Sequence, residues 1–386
     1  MLLLRGVLVG LVATLLVASP AGAGLLPGDP PPPPLQGLAT GDPPPVTAKT
    51  WLVYDDTFEF ELAEVGADER RAIASTTKMM TALVAIESSE PDDLVVVSEG
   101  AAVVGEAEIG LQEGEVFRIE ELITVMLIRS ANDAAVAVAE HVGGSLDGFV
   151  GMMNAKAEEI GLENTHFANP HGLDAPDHYS SARDLLRIAL EGMRYPLFAS
   201  AVATAEYTFP DAPDGTKRTA ETTNYLIRDG YQGALGVKTG YTGEAGLTFV
   251  AGAERSGRRL YVVVLGSEGL RAHFDDARLL LDWGFNEFRL VQLFVEGAVY
   301  GQYRASEGVE PLLAGQSSNV LLTRTTRSAE VVYEPDFDQE DPVMVATLGE
   351  QELARVPLTL SSPRPMPSLG DAFGWVTSYW NWLFDG

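Results

Sequence analysis

The chain contains no cysteine, which removes disulfides, thiol nucleophiles and cysteine-ligated zinc together. Lysine is almost as scarce. Only Lys49, Lys78, Lys156, Lys217 and Lys238 occur, and Lys plus Arg total 26 against 55 Asp plus Glu, for a formal net charge of -29. The acidic residues are scattered rather than gathered in a tail, which argues against nucleic acid as a partner, because a phosphate backbone is met by basic surface. The histidines (His141, His166, His171, His178 and His273) show no H-E-x-x-H or comparable ligand spacing, so no metal is expected. Neither a G-x-S-x-G elbow nor a G-x-x-x-x-G-K phosphate loop is present, which disfavours esterases and nucleotide enzymes. No cofactor is implied. No apolar run reaches the roughly 20 residues of a membrane span. The run from about Gly6 to Ala18 follows Arg5 and precedes Ala21-Gly22-Ala23, the pattern of an export signal, so residues 1–23 are read as a signal peptide and the site of action as outside the cytoplasm.

What is present suits more than one domain. The length of 386 residues and a hydrophobic share of 46% allow a sizeable core and exclude global disorder. Residues 24–46 are proline-rich and read as a semi-rigid linker. From Thr47 the pattern changes: "TWLVYDDTFEFEL" predicts a hairpin turning near Asp55 and Asp56, and helical spacing then dominates to about Tyr195. Strands return in "GALGVKTGYT", "GLTFVAGAE" and "RLYVVVLGS", followed by a helix in "FDDARLLLDWGF". Strand, many helices, then adjacent strands predict an α+β domain with an antiparallel sheet over 47–290. Residues 291–364 alternate without helical period and predict a small β-rich domain. Residues 367–386 place Phe373, Val376, Tyr379, Trp380, Leu383 and Phe384 on one face of a helix. This is an amphipathic aromatic tail suited to a membrane interface and too short to span it.

The stretch "AIASTTKMMTAL" places Ser75 three residues before Lys78, a spacing at which helical side chains touch. Taken alone it has two readings: a capping serine beside a solvated lysine, or a serine nucleophile carrying its own base. Lys78 alone among the lysines has a serine three residues upstream, and Ile73, Met79, Met80, Leu83 and Val84 make its surroundings apolar. Two further stretches decide between the readings. "LIRSANDAAVAV" offers Ser130-Ala131-Asn132 at the start of a helix, and "GVKTGYTG" offers Lys238-Thr239-Gly240 on a strand. A second Ser-x-Asn triplet at Ser317-Ser318-Asn319 has no companions.

The three elements, in this order, are those of the penicillin-recognising serine enzymes. Within that superfamily "ASTTKMMTAL", "RSANDAAVAVAEHVGGS", "FANPHGLDAPDHYSSARDL" and "GVKTGYTGEAG" resemble most the low-molecular-weight D-alanyl-D-alanine carboxypeptidases. A β-lactamase would be expected to carry a water-activating Glu in the loop matching "NPHGLD…SSARDL", and none fits there. The resemblance implies a β-lactamase/transpeptidase-like domain, an antiparallel sheet with a helical cluster, followed by the small β-rich domain and the C-terminal amphipathic helix. It implies peptidoglycan stem peptides as substrates, β-lactam antibiotics as covalent inhibitors, and an exported enzyme at the outer face of the cytoplasmic membrane or in the cell wall, with membrane-surface contact through its C-terminal helix. The rival readings are a D,D-endopeptidase acting on cross-links and an inactive murein-binding or sensor protein.

The chemistry can be stated from the residues. A serine hydroxyl needs a base, and Lys78 serves only if its pKa falls well below about 10.4. Burial and the charge of Lys238 both push it down. Ser130 is expected to pass a proton toward the leaving amine and Asn132 to position the substrate amide. The resemblance assigns the oxyanion to the backbone N–H groups of Ser75 and Tyr241, donors worth about 3 kcal/mol each in such sites. Lys238, Thr239 and Gly240 complete the substrate-binding strand. One departure concerns the terminal carboxylate. The family usually has Arg immediately before the Phe of the segment matching "HFDDARLLLDWGF", where this chain has His273, with Arg271 two residues earlier. Either Thr239 and Arg271 take the carboxylate, or His273 does so when protonated, in which case affinity falls above about pH 6.5. His171 and His178 are expected to brace the loop beside the site.

Overall fold

A computed structural model describes residues 41–305, 308–324, 326, 330–337 and 342–360. The expected signal peptide, most of the proline-rich linker and the aromatic tail lie outside the described residues. Among these residues, no helix is long and apolar enough to cross a membrane. The chain divides into two compact units, one ending at Phe288 and the other beginning at Arg289.

The first unit opens with the hairpin β1 (Thr50–Asp55) and β2 (Phe60–Val65). Two short pairs follow later in the chain, β3 (Leu94–Val96) with β4 (Val116–Arg118) and β5 (Glu206–Phe209) with β6 (Arg218–Glu221). The first of these falls inside the stretch where helical spacing dominates, and three-residue strands are too short to show a period of two. The long strands β7 (Ala234–Thr242), β8 (Gly246–Arg255) and β9 (Arg258–Ser267) complete a five-stranded sheet in the order β2-β1-β9-β8-β7. Every neighbouring pair is antiparallel. Ser256 and Gly257 join β8 to β9, and both have positive φ (53° and 75°), as the twist of a two-residue hairpin demands.

Leu260 to Leu265 in β9 are buried without a break, which means that both faces of the central strand are covered. Helix α9, the last in the chain (Ala272–Glu287), packs on β9, β8 and β1. The remaining helices are α1 (Lys78–Ser88), α2 (Glu99–Ala102), α3 (Ile119–Arg129), α4 (Asn132–Gly143), α5 (Leu146–Glu159), α6 (Ala182–Gly192), α7 (Pro196–Ala203) and α8 (Tyr225–Arg228). Helix α1 is buried at every position from Lys78 to Ala85 and contacts α3, α4, α5, α6 and α7, the situation expected of a helix apolar on all sides. Its N-terminus therefore begins in the interior, and the groups there are removed from water by the helices around them.

The second unit is β-rich. Strand β10 (Phe288–Phe294) pairs with β13 (Ser318–Thr323), while β11 (Val299–Ala305), β12 (Gly308–Ala314), β14 (Val331–Asp336), β15 (Val343–Leu348) and β16 (Gln351–Leu360) form a five-stranded sheet in the order β11-β12-β16-β15-β14. Phe294, Leu312, Val320, Leu322, Met344 and Val356 are its core. The second Ser-x-Asn triplet lies at the start of β13 in this unit.

Candidate active site

The segment carrying Ser75 is a 3-10 turn, Ala74–Thr77, that runs straight into α1. Ala74 holds φ +49°, a left-handed conformation uncommon for a residue with a Cβ. Two glycines from distant segments close on it. A Cβ on Gly172 would stand 2.0 Å from the Ala74 carbonyl oxygen and 2.9 Å from the Ser75 nitrogen, and one on Gly240 would stand 2.5 Å from Thr248 Oγ1 and 2.9 Å from that same nitrogen. Only glycine fits at either place, and the result is an unobstructed backbone N–H at Ser75. Strand β7 lies at the edge of the sheet, and Tyr241, the next residue after Gly240, is 68% exposed.

Lys78 is fully buried. Its Nζ lies 2.9 Å from Ser75 Oγ, 2.7 Å from Asn132 Oδ1 and 2.5 Å from the His171 carbonyl oxygen. A neutral amine has two N–H bonds and one lone pair, and the latter two oxygens can only accept. They consume both donors, so the lone pair of an uncharged Lys78 is left for the Ser75 hydroxyl. Burial holds the Lys78 pKa well below its ordinary value, the Lys238 charge adds to this, and Asp133 and Glu106 oppose it. Both causes expected from the sequence act here, and desolvation by the surrounding helices is the larger.

The Ser130-Ala131-Asn132 triplet stands at the start of a helix, as the sequence suggested, with Asn132 opening α4, and Ser130 also closes α3 in a left-handed cap with φ 68°. The sharp reversal between two helices aims both side chains at the same point. Lys238 Nζ donates to Ser130 Oγ at 3.0 Å and to the Thr239 carbonyl at 2.9 Å. Burial lowers its pKa to about 7. Strand β7 is irregular just before this lysine: the register shifts between Ala234 and Gly236, and Val237 holds φ 100°, a rare conformation for a β-branched residue. The Thr239 hydroxyl pairs with that of Thr223 at 2.7 Å.

Several contributors went unnoticed in the sequence. Asp133 is buried and accepts from the backbone N–H groups of Ile109, Gly110 and Leu111, pinning that loop beside α4. Asn132 Nδ2 donates to the Gly105 carbonyl in the same region, so Asn132 orients Lys78 with one end of its amide while the other holds the loop. The His171 backbone and Thr223 hydroxyl carry no residue-type signal. The bracing histidines are legible in the geometry: His178 Nδ1 accepts from Ala168 N–H at 3.0 Å, which leaves Nε2–H to donate to Thr77 Oγ1 at 2.8 Å. Thr81 donates to the Pro170 carbonyl. Burial lowers both His171 and His178 to about 4.

The two candidates for a carboxylate reader differ. Arg271 is exposed, has φ 60° at the N-cap of α9, and donates to Tyr225 OH at 2.7 Å with its guanidinium 3.8 Å over that ring. Among the described residues it has no carboxylate partner. His273 is buried against Phe249 and Phe274, and its Nδ1 has no hydrogen-bond partner. Burial lowers its pKa to about 4, so this ring stays neutral through the range in which a switch near pH 6.5 was expected. Among the described residues there is no cluster of His, Asp or Glu able to hold a metal ion.

The family model for D-alanyl-D-alanine carboxypeptidase matches residues 38–269. D-alanyl-D-alanine carboxypeptidase DacF of Bacillus subtilis is 34% identical over 298 residues, 76% of this chain and 76% of that protein. D-alanyl-D-alanine carboxypeptidase DacC of Escherichia coli is 33% identical over 294 residues, 72% of each chain. Among solved structures, penicillin binding protein 6B from Escherichia coli superposes with a TM-score of 0.68 at 29% identity, covering 82% of this chain and 96% of that one.

Proposed function

Since the chain belongs to the D-alanyl-D-alanine carboxypeptidase family, we propose that Ser75, Lys78 and Ser130 carry out the reaction of that family, with the strand from Lys238 to Tyr241 holding the substrate. The activity is that of a serine-type D-Ala-D-Ala carboxypeptidase, which removes the terminal D-alanine of peptidoglycan stem peptides and is acylated by β-lactams. The observation that carries the assignment of roles is the surroundings of Lys78 Nζ: two acceptor-only oxygens and one hydroxyl within 3 Å.

Neutral Lys78 takes the proton of Ser75 as Oγ attacks the carbonyl carbon of the penultimate residue. Negative charge gathers on the carbonyl oxygen, where the N–H of Ser75, kept clear by Gly172 and Gly240, acts with that of Tyr241. Ser130 relays the proton that Lys78 took from Ser75 to the departing amine, which leaves Lys78 neutral again, and Lys238 beside it donates to the Ser130 hydroxyl. The carboxylate of the departing D-alanine lies toward Lys238, the Thr239 hydroxyl and Arg271, while Gly240 lets the substrate backbone run along the open edge of β7. His273 serves this site as packing under α9 rather than as a charge. Water then hydrolyses the ester on Ser75 and returns its proton through Lys78.

The place of action is the cell envelope. An export signal in residues 1–23 and a surface-seeking helix in residues 367–386 extend that reading to secretion across the membrane and attachment at its outer face. Incubation with a stem pentapeptide tests the activity: free D-alanine should appear with wild type and not with Ser75→Ala. Cleavage of a cross-linked dimer without release from the pentapeptide would identify an endopeptidase instead.

A further inference from the structure

Residues 103–115, between α2 and β4, belong to no helix or strand, yet their backbone supports the cluster around Lys78. Asn132 N–H donates to the Ala107 carbonyl at 2.6 Å, and Asn132 Nδ2 to the Gly105 carbonyl at 3.1 Å. The segment turns at four positive φ values, those of Gly105, Glu106, Gly110 and Gly114, so its course depends on what holds it. Asp133 holds the middle through the N–H groups of Ile109, Gly110 and Leu111. The far end is held by a residue more than a hundred positions away. Arg218 opens β6 and is 5% exposed. It donates Nη1 and Nη2 to the two carboxylate oxygens of Glu115 at 2.9 and 2.8 Å, and Nη2 also to the Gly110 carbonyl. Phe209, opposite Arg218 in the β5–β6 hairpin, stacks on Phe117 with ring centroids 4.7 Å apart. The hairpin is therefore fastened to this segment at two neighbouring points.

The direction of one amide depends on this fastening. A neutral Lys78 donates to Asn132 Oδ1 and to the His171 carbonyl and keeps its lone pair for Ser75. That holds only while Oδ1, and not Nδ2, faces Lys78. An amide turned end for end would aim an N–H at the amine, occupy its lone pair and leave Ser75 without a base. The Gly105 carbonyl, an acceptor only, prevents this by claiming Nδ2. We infer that the Arg218–Glu115 pair is a positioning device for the reaction, holding residues 105–115 so that the Asn132 amide presents its oxygen to Lys78. Replacing a buried ion pair by apolar residues is often neutral for stability, so what this pair contributes is position: its two parallel bonds fix an orientation, and the Gly110 carbonyl adds a third contact to the same guanidinium. The chain then runs on from β6 to Thr223, whose hydroxyl meets that of Thr239. One short segment thus reaches both the loop behind Asn132 and the strand carrying Lys238.

The inference rests on Lys78 as the base, and a double-mutant cycle separates the two claims. The rate of acylation of the full chain by benzylpenicillin is the reading. Arg218→Met alone would leave Glu115 as a buried charge without its partner, so it is combined with Glu115→Leu. This double variant should be acylated about 10- to 100-fold more slowly than wild type, the cost of a displaced catalytic group. In an Asn132→Ala background, which has no amide to orient, the same two substitutions should change the rate by less than about twofold. Arg218→Lys keeps the ion pair without the fork and should fall between wild type and the double variant; if the double variant does not fold, Arg218→Lys carries the same cycle with a smaller factor. An unchanged rate, or the same fold loss with and without the Asn132 amide, is what a purely structural pair would give, and either result overturns the positioning role while leaving Lys78 as the base. Wild type that is not acylated at all overturns the reading of Lys78, and the positioning role with it.

Discussion

Replacing Lys238 by methionine should stabilise the protein at neutral pH while destroying its function, by an amount that depends on pH in a definite way. Lys238 is 1% exposed, and burial lowers its pKa from 10.5 to about 7. The folded pKa lies below the unfolded one, so between these two values the unfolded chain binds more protons and stability rises with pH. The full gap of about 3.5 pH units corresponds to about 5 kcal/mol at roughly 1.4 kcal/mol per unit. At pH 7 nearly all of that penalty is in force, about 4 kcal/mol; at pH 9 about 2 kcal/mol remains; above the unfolded value it is gone. Methionine fills similar space without a charge to desolvate, though it forfeits the hydrogen bonds to Ser130 and Thr239, each worth about 1 kcal/mol. Its removal also relieves the second cause of the lowered Lys78 pKa, which acts in the same direction. Urea denaturation of wild type and Lys238→Met at pH 7 and pH 9 should therefore show the variant's advantage shrinking by about 2 kcal/mol. An advantage that stays constant over this range refutes the reasoning, because a charge already at home in the fold has no such window.

Other outcomes follow from the same geometry. Lys78→Arg keeps a cation that cannot lose its proton, and penicillin acylation should slow by about 10²- to 10⁴-fold in stopped-flow measurements. Gly240→Ala presses a methyl against the Ser75 nitrogen and should lower kcat about 100-fold, the loss of one oxyanion donor, with folding checked by circular dichroism. Thr223→Val frees the Thr239 hydroxyl and should raise KM for the pentapeptide more than it lowers kcat. The pKa values of His171, His178 and His273, each lowered to about 4, mean that stability present above about 6.5 is lost as pH falls toward 4. The melting temperature should drop across that interval, and a flat profile there would contradict the buried neutral rings.

The residues proposed to react were legible in the sequence because chemistry restricts their types: a serine with a lysine one helical turn on, a second serine ahead of a helix, a lysine in a β-rich run. The antiparallel sheet was legible for a related reason, since Val262, Val263 and Val264 in β9 and the Ser256-Gly257 turn state their conformation locally. What the sequence could not show was supplied by backbone and by distance. The His171 carbonyl that fixes the lone pair of Lys78 is 93 residues away in the chain and has no side-chain signature. That Ser130 also closes α3 was not legible, because its left-handed φ depends on two helices meeting there. The three-residue strands β3 and β4 are held by pairing alone, below the length at which alternation shows. His273 looked like a titrating residue because sequence gives no burial, and burial is what sets its pKa.

The covalent event itself is the most direct measurement. Intact-mass spectrometry after incubation with benzylpenicillin, followed by peptide mapping, should find one added acyl group on Ser75 in wild type and none in Ser75→Ala or Lys78→Ala at matched times. An adduct on any other residue, or equally fast labelling in Lys78→Ala, would contradict the account of an uncharged Lys78 drawing the proton from Ser75.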